Sequence, residues 1–245
     1  MIKAEWYEDW FNSPFYHLLY NNRNHEEADF FTGNLCRKLD LKPQMRIWDL
    51  ACGKGRHAIS LYKKGFNVTG TDLAQNNISE ALKFAGPELS FFVHDMREPF
   101  AEKKFDAVFN LFTSIGYFEN YSDNFLVFQN VMASLRPGGV FVVDFFNSEK
   151  VAANFKSGYT ERRNEIEFKI EKELCSNYIV KKITFKAGGH LYSFTENVSL
   201  LKKSDFESFA LKAGFVPLHV FGNYRLDDFD ASVSDRLILV FKKPG

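Results

Sequence analysis

The sequence predicts one open α/β domain over residues 1–245, built on a parallel sheet and carrying a small antiparallel β insertion at roughly 157–203. Three observations carry this. From about residue 46, short apolar runs alternate with stretches of helical periodicity, which implies right-handed βαβ crossovers and a sheet covered on both faces. After about residue 157 the period becomes two, as Ile166, Phe168 and Ile170 alternate with charged residues. Helical order then returns at Ser204, ahead of two closing strand-like runs. A chain of 245 residues fits one α/β domain, and 45% hydrophobic with 25% charged residues excludes a disordered or fibrous protein.

The elements follow in order. Residues 1–40 are expected to form an N-terminal helical cover, dense in aromatics from Trp10 to Tyr20. Ile47-Trp48 begins the first strand and leads into the small-residue loop Ala51 to Gly55, after which Ala58, Ile59, Leu61 and Tyr62 recur at helical spacing. Phe66 to Gly70 gives a second strand, Leu73 to Phe84 a helix, and Phe91-Phe92-Val93 a third strand. Phe105 to Phe112 is the fourth strand and Asp123 to Leu135 the next helix. The turn Arg136-Pro137-Gly138-Gly139 stops that helix and releases the strand Val140 to Val143. In the insertion, Tyr192 and Phe194 alternate with Ser193 and Thr195, a half-buried antiparallel signature. Ser204 and Glu207 have the spacing of a capping box before Phe209 and Leu211. Val216 to Phe221 and Leu237 to Phe241 close the chain as strands joined by a polar loop.

Charge and composition narrow the function classes. With 31 Lys+Arg against 31 Asp+Glu the net charge is zero, which argues against a domain built to grip phosphate backbones. Lys181-Lys182 and Lys202-Lys203 read as solvated strand edges, not as a nucleic-acid patch. Cys36, Cys52 and Cys175 form no C-x-x-C pair and leave an odd thiol, which suits a reducing compartment and no zinc site. The N-terminus lacks the apolar core of a signal peptide, and the longest apolar runs fall far short of a membrane span. The expectation is a cytoplasmic protein, monomer or homodimer, with no membrane partner and no metal. The 28 Phe and 17% aromatic content point to apolar walls beyond a core's needs.

The chemistry concentrates at strand ends. Asp49 precedes the loop Ala51-Cys52-Gly53-Lys54-Gly55, where glycines let backbone N–H groups approach a ligand and the following helix N-terminus favours anionic groups. The bland alternative is a cap and a tight turn. Asp72 ends the next strand 23 positions later, placed to accept hydrogen bonds from a ribose diol, and Asp95 ends the third strand after another 23. Open α/β sheets bind ligands at that edge.

With these residues the chain resembles the class I S-adenosylmethionine-dependent methyltransferases. Asp49-Leu-Ala-Cys-Gly53-Lys-Gly55, Asp72, Asp95-Met96, Phe105 to Leu111 and Leu135 to Gly139 look like that family's ordered motifs, and the last two strands look like its closing antiparallel hairpin. The resemblance covers about 46–145 well and implies a Rossmann-like, doubly wound, mostly parallel sheet. Ala51 departs from it by replacing the first glycine of G-x-G-x-G, for which local adjustment is expected. S-adenosylmethionine is the implied cofactor. The resemblance implies that Asp49 binds the methionyl amino group while the backbone from Ala51 through Gly53 to Gly55 lies against its carboxylate end. Asp72 holds the ribose, Leu73 packs on the adenine, and Asp95 with the Met96 backbone reads the adenine edge. Asn110 and Leu111 border the methionyl chain and the transferable methyl. Tyr16 and Arg23 are implied near the methionyl carboxylate if the N-terminal segment is a lid, the alternative being a plain packing helix.

Two other readings compete. Gly53-x-Gly55-x-x-Ala58 formally satisfies a dinucleotide fingerprint, with Asp72 serving an NAD ribose, although Asp49 and the closing hairpin fit it poorly. A non-catalytic scaffold that binds S-adenosylmethionine is the third. The expected acceptor is a small molecule. No catalytic base is assigned: Cys52 and His57 read as packing residues, and Tyr117 reads as either acceptor wall or core. The insertion is expected to overhang the site and select the acceptor, or else to serve as a dimerisation surface.

Overall fold

In the computed structural model, which describes residues 6–20 and 25–245, the apolar runs become a seven-stranded sheet wound in two directions from its middle. β1 (Arg46–Leu50) pairs in parallel with β2 (Asn67–Asp72), and β2 with β3 (Leu89–Val93). The chain then crosses back to the other side of β1, where β4 (Phe105–Asn110) and β5 (Leu135–Phe146) lie parallel to it. β10 (Val216–Phe221) and β11 (Arg236–Lys242) complete the order β10-β11-β5-β4-β1-β2-β3. β11 runs antiparallel to both β5 and β10. The winding reverses between β1 and β4, which opens a crevice beyond their carboxyl ends.

Period two sorts the strands' side chains on to two cores. Ile47, Val68, Ala107 and Phe109 pack with helices α3 (His25–Lys38), α4 (Arg56–Lys63) and α5 (Gln75–Ala81). Trp48, Leu50, Val108 and Phe141 face α6 (Tyr121–Ser134) and α8 (Lys203–Ala213). With α7 (Ser148–Ala153) leading out of the sheet, the chain enters four antiparallel strands, β6 (Gly158–Arg163), β7 (Ile166–Leu174), β8 (Tyr178–Ala187) and β9 (His190–Ser199). Their apolar face buries Phe168, Ile170, Ile183 and Phe185 against Trp10 of α1 (Trp6–Phe11) and Leu19 of α2 (Pro14–Leu19), a third core containing no residue of the large sheet. The described helices before β1 therefore divide: α1 and α2 belong to the small sheet, α3 to the large one.

Three local expectations change. The helix after β2 starts at Gln75 and ends in a 3-10 turn, Leu82–Phe84. Helix α8 is capped a residue pair earlier than Ser204: Asp205 accepts from the Lys202 backbone N–H at 2.7 Å. Lys181 lies on the inner strand β8 and not on an edge, paired at 3.1 Å with the buried Glu196. A sequence window of one strand cannot show which neighbour flanks it.

Candidate functional site

The loop after β1 is built from residues in left-handed conformation: Ala51 at φ 59°, Gly53 at 56° and Gly55 at 81°. Gly55 caps α4, and a Cβ there would meet the Phe91 ring at 2.8 Å. A Cβ at Gly53 would meet nothing within 4 Å, so that position opens on to space. Ala51 adopts the left-handed conformation despite its Cβ, at a cost of about 1–2 kcal/mol. Beneath the loop, Asp49 is 1% exposed and its Oδ2 has no hydrogen-bond partner among the described residues. Burial pushes its carboxyl up to about 7, against the Ala58 backbone N–H and the Arg56 charge. Next to it, at the end of β4, Asn110 donates to the Leu50 carbonyl at 3.0 Å and leaves its Oδ1 without a partner.

Asp72 organises the next turn. Its Oδ2 accepts from Gly53 N–H at 2.8 Å; its Oδ1 accepts from Ala74 N–H at 2.9 Å and from Asn77 Nδ2 at 3.3 Å. Burial raises its pKa, and these donors oppose the rise. Asn77 in turn holds His17 Nε2 at 2.7 Å. At the end of β3, Asp95 accepts from the Arg97 backbone N–H at 2.9 Å and from Arg97 Nη2 at 2.7 Å. Burial opposes ionisation there, yet the Arg97 bonds hold the Asp95 carboxyl below the usual carboxylate range.

These ends border one cavity of about 410 Å³. Of the sequence-expected residues, Tyr16, Ala51, Gly53, Asp72, Leu73, Asp95, Met96 and Leu111 line it. Asp49, Gly55 and Asn110 lie behind the lining, and Arg23 is outside the described residues. Cys52 and His57 are buried and also border the space. Aromatic wall comes from Tyr7, Phe11, Tyr20, Tyr117 and Phe118, and polar wall from His17, Lys54, Arg56, Asn77 and Glu80 among others. Burial raises the Tyr20 and Tyr117 hydroxyls well above their ordinary pKa, so both stay protonated at neutral pH. The small sheet supplies no lining residue among those described, contrary to the expected overhang. Its apolar face is spent on α1 and α2, and Glu196 fixes them by accepting from Trp10 Nε1 at 2.7 Å and Tyr20 OH at 2.8 Å. The sheet shapes the cavity through those helices.

A second structure escaped the sequence altogether. Phe112 and Thr113, just past β4, sit at φ 67° and 59° although neither is glycine. Asp144 of β5 holds them, its Oδ2 accepting from Phe112 N–H and its carbonyl from Thr113 N–H, each at 2.9 Å. Arg236 of β11 donates to Asp144 Oδ1 at 2.7 Å and to Thr113 Oγ1 at 3.2 Å, and Tyr224 OH donates to Asp144 Oδ2 at 3.1 Å. The Phe112 ring lies near two guanidiniums, Arg56 at 5.2 Å and Arg236 at 5.7 Å. Ser114 and Gly116 mark a turn nearby, but nothing in the sequence marks Phe112 and Thr113 themselves as left-handed.

The chain matches known proteins in the same region. A family model described as a methyltransferase domain matches residues 47–139. YqeM of Bacillus subtilis (strain 168) is 36% identical over 131 residues, covering 50% of this chain and 51% of that protein. A dTDP-3-amino-3,4,6-trideoxy-alpha-D-glucopyranose N,N-dimethyltransferase of Streptomyces venezuelae is 31% identical over 98 residues, 40% of this chain and 41% of that one. The chain thus spans about half the length of one relative and less of the other. The crystal structure of a S-adenosylmethionine-dependent methyltransferase from Clostridium acetobutylicum ATCC 824 shares the fold, with TM-score 0.79 at 21% identity over 94% of this chain and 96% of that one. No helix of the described residues is long and apolar enough to cross a membrane.

Proposed function

We propose that the chain is a class I S-adenosylmethionine-dependent methyltransferase, as its methyltransferase-domain match and its relatives support, and that its cavity passes the methyl group of S-adenosylmethionine to a small cytoplasmic acceptor molecule. The observation that carries this is the Asp49 carboxyl, fully buried with an orphan oxygen under a loop that opens at Gly53. A buried carboxylate so placed is costly unless a cationic ligand group approaches it. The ammonium of the methionyl moiety meets that demand, and Gly53 leaves room for it.

When bound, the cofactor supplies a methyl on a sulfonium, which leaves by in-line displacement with a neutral thioether. The protein's part is to bind, orient and exclude water. In this reading Asp49 provides negative potential from below, and Asn110 with Leu111 borders the methionyl chain. Asp72 accepts from the ribose and Leu73 packs on the adenine, whose edge meets the Met96 backbone and the carboxylate that Asp95 shares with Arg97. Tyr16 and its aromatic neighbours wall off water on the acceptor side, strengthening the electrostatics inside. A small molecule suits a neutral chain with a cavity of about 410 Å³ partly walled by aromatic rings, and the Streptomyces venezuelae relative is named for a sugar substrate. Free thiols at Cys36, Cys52 and Cys175 suit a reducing compartment.

Calorimetric titration tests the reading. S-adenosylhomocysteine is expected to bind and NADH to give no signal; tight NADH binding without S-adenosylhomocysteine binding overturns it. Incubation with methyl-labelled cofactor and a metabolite extract then separates an enzyme from a scaffold, since a scaffold transfers no label.

A further inference from the structure

We infer that His17, carried by α2, is a ribose ligand that completes the acceptor set Asp72 begins; the inference rests on the methyltransferase reading above. The argument starts from a count of lone pairs. A carboxylate offers roughly four acceptor sites. At Asp72 three are taken, two on Oδ1 by Ala74 N–H and Asn77 Nδ2, and one on Oδ2 by Gly53 N–H. One site is left on Oδ2. A ribose diol brings two O–H donors, so the second needs another acceptor beside Asp72.

The hydrogen-bond chain supplies it. Asn77 gives its amide N–H to Asp72, which fixes the amide oxygen as the atom facing His17 Nε2 at 2.7 Å. Nε2 must then carry the proton, and in the neutral ring Nδ1 is left as an acceptor. No other polar contact occupies His17 among the described residues, and the residue lines the cavity together with Asp72, Gly53 and Asn77. Glu80, the other acidic lining residue near this point, has both oxygens bonded by Lys83 at 2.7 Å. The turn that leads into α2 is held at a second place, where Asn12 accepts from Asn76 N–H at 3.2 Å and receives Asn76 Nδ2 at 3.0 Å on its carbonyl. Burial, aided by the Lys54 charge, holds His17 down at about 4, so its ring is neutral at pH 7. The cofactor site is thus completed by a residue far from the strand ends in sequence, and α1 and α2 are part of it.

The test compares S-adenosylhomocysteine with its 2′-deoxy and 3′-deoxy analogues by calorimetry, on the 245-residue protein and on its His17→Phe variant. The expected result is a roughly three- to tenfold loss of S-adenosylhomocysteine affinity in the variant, with one deoxy analogue bound equally by both proteins. Equal losses for all three ligands mean that His17 only shapes the wall, and no loss means that it makes no contact; either overturns the inference. If the wild-type protein binds none of the three, the methyltransferase reading fails first and takes this one with it. Should His17→Phe not fold, the imidazole 15N spectrum of the wild-type protein decides. The Nδ1 signal of His17 should move when S-adenosylhomocysteine is added, and an unmoved Nδ1 refutes the contact.

Discussion

At pH 7 the Asp49 carboxyl, raised to about 7 by burial, is divided between its protonated and ionised forms. A ligand ammonium favours the ionised form. Binding of S-adenosylhomocysteine at pH 7 should therefore release up to about half a proton, seen as a binding enthalpy that differs between two buffers of unlike ionisation heat. Asp49→Asn should abolish the buffer dependence. The sign for stability follows from the same shift. Between 3.8 and about 7 the native state binds more protons than the unfolded chain, so Asp49 lowers stability as pH rises through that window. Urea melts at pH 8 without ligand should find Asp49→Asn at least as stable as the parent. Asp72→Ala removes a ribose acceptor and orphans the Gly53 and Ala74 N–H groups, so S-adenosylhomocysteine affinity should fall roughly tenfold to a hundredfold. Unchanged affinity in a folded variant would remove the role. At this scale the sequence located the Asp49, Asp72 and Asp95 carboxylates at or near the carboxyl ends of β1, β2 and β3, because a carboxylate at a strand end keeps its place wherever the strand lies. It did not show His17, whose partner Asn77 is 60 positions away, nor that Asp72 keeps only one acceptor site.

Among the elements, the loop after β4 depends most on others. Consecutive left-handed residues with side chains are unfavourable by themselves. Phe112 and Thr113 persist because β5 and β11 present Asp144 and Arg236 to them, both side chains nearly inaccessible at 0% and 14%. Removing one partner leaves a buried charge. Arg236→Gln should thus cost about 3–5 kcal/mol in urea denaturation, and the double variant with Asp144→Asn should cost less than the sum of the singles. Additive losses would mean the two side chains act separately. The strands of this pair were legible as apolar runs, whereas their register was not. Arg236 sits opposite Phe146, next to Asp144, only because β11 runs against β5. The capping of α8 by Asp205 instead of the Ser204 and Glu207 pair was missed for a related reason, as the start of a helix depends on where the incoming chain leaves the sheet.

For the whole molecule, the third core joins two segments far apart in sequence, 6–20 and 158–199. Replacing residues 160–202 by a short Gly/Ser linker strips Trp10, Leu19 and their neighbours of the surface they pack on and removes Glu196 from Trp10 and Tyr20. The expected outcome is a folded large sheet with α1 and α2 released, and weakened binding of S-adenosylhomocysteine together with lost turnover. Affinity equal to the parent's would show that the helices hold the cavity without the sheet. The doubly wound order was implied only by the family resemblance. The sequence by itself determined the alternation of strands and helices in a parallel sheet, the loop between Asp49 and Gly55, and the existence of the small sheet. Each is written in local periodicity and in residue types whose conformational needs are their own. Only the tertiary structure decided that the small sheet serves the cavity from behind α1 and α2, that Lys181 is paired inside it, and that Asp144 and Arg236 hold the loop after β4. Those outcomes depend on which apolar face finds which partner, and burial is a property of the assembled chain, not of any window along it.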